Sequence, residues 1–140
     1  MHVRFKRIRS MARKKQSGPT EKELKILSIL WKRGASTVRD VHTIMNRDEE
    51  TGYTTTLKLM QIMYEKGLLK RDASAKTHVY FPSARQEEVQ SQVLSNLIHR
   101  VFSGSAEKMM MRALSSQDVS ADELANLKRL IEAKEREMHS

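Results

Sequence analysis

From Leu24 onward, apolar side chains recur at three- and four-residue spacing: Leu24, Leu27, Leu30 and Trp31, with Ile26 and Ile29 widening the stripe. That period is the signature of a helix with one buried face. Thr20 stands three residues before Glu23, so hydroxyl and carboxylate can satisfy each other's free backbone NH groups in a capping box. The pattern therefore predicts a helix opening after Pro19 and stopping at Gly34. A second helix is expected from Thr37, with Asp40 in the same capping position, Val38, Val41, Ile44 and Met45 on one side, and an end near Asn46. After the acidic, glycine-containing loop from Arg47 to Gly52, a third helix runs from Thr54 to Lys66. Its inner stripe is Met60 and Met63, joined by Leu59 and the methyl of Thr56, and Gly67 supplies a left-handed C-cap. Then the period changes. Residues 68–71 and 77–81 are short and rich in strand-compatible side chains, Asp72 to Lys76 can turn between them, and Pro82 ends the hairpin.

Three helices followed by a two-stranded hairpin is the element order of a winged helix-turn-helix. The rest of the chain is helical again. Val89, Val93, Leu97 and Val101, with Leu94, Ile98 and Phe102 beside them, stripe a long helix that ends at Ser103-Gly104. A shorter helix from Ser105 carries Met109, Met110 and Leu114, and another capping box at Ser120 and Glu123 opens a last one with Leu124, Leu127, Leu130 and Ile131 on one face. These helices have little second core of their own to bury against, so their stripes are expected to meet the same stripes of another copy in a two-fold dimer. Folding back onto the winged segment is the competing arrangement. The expected fold is mainly α: a winged helix-turn-helix over residues 20–82 and a helical dimerisation region over 83–140, after a basic tail over 1–19. Val93, Leu97, Val101, Phe102, Leu124, Leu127 and Ile131 are the residues expected at the dimer.

Charge sharpens this division. The 140 residues hold 26 Lys+Arg against 17 Asp+Glu, a net +9, which favours polyanionic partners. Seven of the basic residues, and no acidic one, fall within residues 1–19 (Arg4, Lys6, Arg7, Arg9, Arg13, Lys14 and Lys15). This tail lacks the apolar run of a secretory signal and ends in Ser17-Gly18-Pro19, so it is expected to be disordered in the free protein; an organellar transit peptide, or a start at Met11, are the other readings. No stretch nears the roughly 20 apolar residues of a membrane span. With no cysteine the chain has no disulfide, thiolate metal site or cysteine nucleophile, in keeping with a cytoplasmic protein.

The inventory argues against catalysis. The five histidines (His2, His42, His78, His99, His139) are scattered, and there is no HExxH, GxSxG, Walker or Rossmann glycine pattern. No metal and no cofactor is expected. The third helix, in contrast, suits a DNA groove. With its apolar stripe inward it presents Tyr53, Thr54, Thr55, Leu57, Lys58, Gln61 and Ile62. Threonine hydroxyls reach phosphates or base edges, glutamine pairs with adenine through two bonds, and lysine takes a phosphate or a guanine. Thr54 or Thr55 could equally cap the helix, and Leu57 and Ile62 could belong to a wider core. Lys70, Arg71, Lys76 and His78 lie on or beside the hairpin, where cations hold phosphates.

The same residues carry a resemblance. Glu23, Ile26-Leu27 and Leu30-Trp31 resemble the opening helix of the penicillinase-repressor family of winged-helix transcriptional regulators. Tyr53-Thr54-Thr55-Thr56, Met60-Gln61 and Lys66 to Arg71 resemble its recognition helix and first wing strand, and His78-Val79-Tyr80 its second strand. Val101 to Ser105, and Ser120 with Glu123-Leu124 and Leu127, are similar to its dimerisation region. Residues from about 20 to 132 take part. The resemblance implies a homodimeric repressor on double-stranded DNA with a palindromic operator, paired with a membrane zinc-metalloprotease sensor and inactivated by cleavage in its C-terminal part. It also marks departures. The family's cleaved bond is Asn-Phe, whereas the aligned stretch here reads Arg112-Ala113, and the C-terminal cysteines of the copper-responsive branch are missing. Ile62 stands where the family commonly presents an arginine. A non-specific nucleic-acid-binding protein dominated by its basic tail is the competing function.

Overall fold

The computed structural model describes residues 18–140. The tail read over residues 1–19 thus falls almost wholly outside the described residues. Helix α1 (Glu21–Arg33) starts from the expected box: Thr20 Oγ1 accepts from the Glu23 amide and Glu23 Oε1 accepts from the Thr20 amide. Helix α2 (Val38–Asp48) repeats the device with Thr37 and Asp40. It runs two residues past the expected end, because Asn46 does not stop the helix; its Oδ1 instead accepts from the Thr51 amide in the following loop. Helix α3 (Tyr53–Glu65) begins from an extended Gly52 with no side-chain cap. Neither Thr54 nor Thr55 caps it, which leaves both hydroxyls outside the helix's own bonding.

At its far end α3 closes in a Schellman arrangement. Gly67, at φ +85°, donates to the Tyr64 carbonyl, and the Leu68 amide donates to the Met63 carbonyl. The chain then reverses directly into β1 (Leu69–Asp72), paired antiparallel with β2 (Val79–Pro82) so that Arg71 faces Tyr80 and Lys70 faces Phe81. Both strands sit a residue or two later than expected, and Pro82 pairs with Leu69 rather than lying beyond the strand. One connection was not anticipated. Ser36, in the turn between α1 and α2, exchanges both backbone hydrogen bonds with Tyr80, at 3.0 and 2.8 Å, and so lines the outer edge of β2.

The core joins all these elements: Ile26, Leu27 and Leu30 from α1, Val38, Val41 and Met45 from α2, Met60 and Met63 from α3, and Leu69 and Tyr80 from the hairpin. Helix α4 (Gln86–Val101) adds Val89, with Val93 half-buried against the same cluster. Compact packing therefore continues past residue 82, and the chain divides into two units between Asn96 and Leu97. Val93, expected at the dimer, packs instead on the core of its own unit, because it follows Val89 by one helical turn.

The second unit contains the end of α4, α5 (Ala106–Ser116) and α6 (Ala121–His139), the last opened by the expected box at Ser120 and Glu123. Left-handed Ser103 and Gly104 make the turn into α5. No side chain of α5 or α6 is buried. Leu97, Val101, Leu124, Leu127 and Ile131 are all exposed and Phe102 is half-buried, so this unit presents apolar stripes that it does not cover itself. Among the described residues no helix is long and apolar enough to cross a membrane.

Candidate nucleic-acid interface

Thr56, Met60 and Met63 are fully buried, which fixes the rotation of α3 about its own axis. Positions 54, 58 and 61 lie on the opposite side, with 55 and 62 alongside. Thr54, Thr55, Lys58, Gln61 and Ile62 are accordingly exposed, as is Tyr53 at the first position. Leu57 differs from the rest of the expected set. It is half-buried and packs on the core, so it supports the helix more than it faces outward.

Tyr53 is fixed by α2. Its ring meets His42 edge-on, with centroids 5.7 Å apart and planes at 85°, and the Arg39 guanidinium lies 5.2 Å from its centre. His42 Nδ1 is buried with no hydrogen-bond partner among the described residues, so packing against Tyr53 holds the ring. Arg39 is exposed beside the N-terminal turn of α3 and places a cation there; its stacking on Tyr53 joins residues 14 apart, which no local pattern could disclose.

The wing residues divide in two. Lys70, Lys76 and His78 are exposed. Arg71 is half-buried, its guanidinium 4.1 Å from the centre of the Tyr64 ring. Hydrogen bonding to the Tyr80 hydroxyl, aided by Tyr64, holds the Arg71 guanidinium further toward its charged form than usual. Strand alternation explains the split, since Lys70 and Arg71 point to opposite faces of the hairpin. Arg71 thus ties the wing to α3, and Tyr64, absent from the expected set, is the residue that receives it. Asp72 accepts from the Ser74 amide at 2.9 Å, which lowers its carboxyl below the usual range and shapes the turn towards Lys76.

A second tie acts on the other end of α3. Glu23 is 2% exposed; while one oxygen completes the cap of α1, the other accepts from Lys66 Nζ at 2.9 Å. The N-terminus of α1 is thereby fastened to the C-terminus of α3. On the far side, Trp31 Nε1 donates to the Ala84 carbonyl at 3.1 Å and fixes the exit from the wing. The result is one exposed helix face held at its start by α2, at its end by α1 and along its side by the hairpin.

The model of a family described as "Penicillinase repressor" matches residues 19–133. The chain is 19% identical over 112 residues to the methicillin resistance regulatory protein MecI of Staphylococcus aureus (strain N315), covering 80% of this chain and 91% of that protein. It is 18% identical over 113 residues to the penicillinase repressor of Bacillus licheniformis, covering 81% and 88%. A solved structure of a MarR family protein from Bacillus stearothermophilus aligns at a TM-score of 0.49 and 15% identity, over 99% of this chain and 90% of that one.

Proposed function

Since the chain belongs to the penicillinase-repressor family, a family of transcriptional regulators, we propose that it represses transcription as a homodimer bound to a palindromic operator. The observation that carries this reading is the outward face of α3, where Thr54, Thr55, Lys58 and Gln61 stand free on a helix held from three sides. Polar groups of this kind read base edges in a major groove, while exposed Lys70, Lys76 and His78 on the wing, and Arg39 beside Tyr53, hold phosphates. Arg71 acts through Tyr64, setting the angle of the wing. In this division of labour the unit that ends at Asn96 contacts DNA through residues 20–82, the unit from Leu97 onward pairs the subunits, and the basic tail over 1–19 adds unspecific attraction.

The uncovered stripes of the second unit support the dimer. Leu97, Val101 and Phe102, with Leu124, Leu127 and Ile131, offer apolar area that a second copy would remove from water, at about 25 cal/mol per Å². A dimer also explains why one winged unit per chain suffices, since two half-sites double the contacts. Derepression follows cleavage in the C-terminal part by a membrane metalloprotease sensor, which would destroy the dimer rather than the DNA-reading unit. The site of action is the cytoplasm, where the operator is.

Selection of bound sequences from a random duplex library, followed by competition with unselected DNA, tests the reading. The expected result is a palindromic site preferred by about a thousandfold or more at physiological salt. Equal binding to all duplexes would replace it with a non-specific protein driven by its basic residues, which the seven cations of residues 1–19 favour.

A further inference from the structure

The outward face of α3 has an unusual chemical balance for a DNA reader. Lys58 is its one cation; it carries no arginine, and its last exposed turn ends in Glu65. In its third turn, at the side of the face, stands Ile62, 39% exposed, one helical turn beyond Lys58 and seven residues beyond Thr55. That spacing places the Thr55 methyl and the Ile62 side chain on one line along the helix, with Gln61 across the face from Ile62. Ile62 is not needed for the core: Met60 and Met63 are fully buried on the other side, and Leu57 and Leu59 fill the flanks.

An aliphatic side chain on a groove-facing helix has one direct partner among the base edges, the 5-methyl group of thymine. Guanine, by contrast, is read by arginine or lysine, and here Lys58 alone could do so. Building on the repressor reading above, we propose that Ile62, in line with the Thr55 methyl, is a specificity-determining residue that recognises thymine 5-methyl groups, beside an adenine paired by Gln61. The half-site is then A·T-rich under the third turn of α3, and a thymine methyl rather than a hydrogen bond decides one of its positions. The Ile62 side chain makes no hydrogen bond and carries no charge, so it contributes to choice of sequence without altering the salt dependence of binding.

The test uses the full chain and the site selected from the random library. Each thymine of the half-site is replaced in turn by deoxyuridine, which deletes the methyl and keeps the base pair, and affinity is read by fluorescence anisotropy. Wild type should lose about fourfold at one or two particular thymines, the worth of one buried methyl-sized group. Ile62→Ala should bind the thymine site more weakly and be indifferent to deoxyuridine there, whereas Ile62→Val should keep the sensitivity. Because Ile62 is exposed and alanine favours helix, an unchanged helical circular-dichroism spectrum shows that the variant is folded. If wild type selects a palindrome but tolerates deoxyuridine everywhere, or if Ile62→Ala retains the same sensitivity, the methyl reading is wrong and the repressor reading stands. If no sequence is selected at all, both fall.

Discussion

The ion pair between Glu23 and Lys66 gives the sharpest test of how α3 is held. Its two partners are unequally placed: the Glu23 side chain is 3% exposed and that of Lys66 47%. Losing Glu23 leaves an ammonium that can turn into water, whereas losing Lys66 leaves a buried carboxylate whose remaining donor is the Thr20 amide at 2.9 Å. An exposed pair is worth about 0–1 kcal/mol, and breaking a fully buried one costs about 3–5 kcal/mol. With one partner buried and one half in water, we expect Lys66→Ala to cost about 2 kcal/mol. Glu23→Ala removes the pair and also the carboxylate half of the capping box, a further loss of about 1 kcal/mol, for about 2–3 kcal/mol in all. In the Glu23→Ala background Lys66→Ala should cost almost nothing, so the double-mutant cycle should return a coupling of about 2 kcal/mol. The assay is urea unfolding at fixed protein concentration, where the single substitutions should shift the midpoint by about 1 M for a slope of 1–3 kcal/mol per M. Additive effects, with a coupling under about 0.5 kcal/mol, would refute the reasoning and reduce the pair to a surface contact.

Three further outcomes follow from the same geometry. Lys58→Ala and Gln61→Ala should each weaken operator binding by about tenfold or more, in line with 1–3 kcal/mol per base contact, and leave the sedimentation of the protein unchanged. Leu127→Asp or Ile131→Asp, placing an unpaired charge where a partner's apolar face would close, should shift sedimentation to the monomer and abolish operator binding with it. Unchanged sedimentation of either variant would exclude that face as the interface. Hydrogen bonds from the Thr37 amide and hydroxyl hold Asp40 below the usual carboxylate range, with Arg33 adding to the effect. A depressed folded-state value stabilises the protein above the unfolded value of about 3.9 and ceases to as pH falls through the folded value, so Asp40→Asn should flatten the acid limb of a stability-against-pH curve.

What the sequence disclosed, it disclosed through short-range chemistry. The boxes at Thr20, Thr37 and Ser120 form as their spacing requires, and Gly67 takes the left-handed conformation its place after a helix demands. The rotation of α3 followed from where Met60 and Met63 fall in the helical period, so its outward residues were legible too. Leu57 was the exception, because a flank position at helical spacing is compatible with either side. The ties were not legible. Ser36 with Tyr80, Glu23 with Lys66 and Arg71 with Tyr64 join residues from different elements, and a lysine, a glutamate or an arginine looks the same in sequence whether it faces water or a partner. Val93 shows the same limit in an apolar residue: its stripe was evident, but what covers it depended on how far the first core extends along α4.

On the repressor reading proposed above, these ties bear on how so few cations would choose a sequence. Of the net +9, the segment from 20 to 82 carries little, with 11 basic and 8 acidic side chains, and several of those basic side chains are engaged internally: Lys66 by Glu23, Arg71 by Tyr64 and Tyr80, Arg33 by Asp40, Lys25 by Asp48 and Arg39 by Tyr53. Charge that is spent holding the recognition face in place no longer draws the protein to arbitrary phosphate. The face itself is left nearly neutral, and neutral groups gain affinity only where donors, acceptors and methyls of the duplex match them. Such a face discriminates only if it is rigid, since a mobile glutamine or isoleucine would settle for the wrong base at little cost. On the proposed repressor reading, fastening both ends of α3 and the wing beside it would supply that rigidity, which would make the Glu23–Lys66 pair and the stacked arginine part of sequence choice although neither faces the groove.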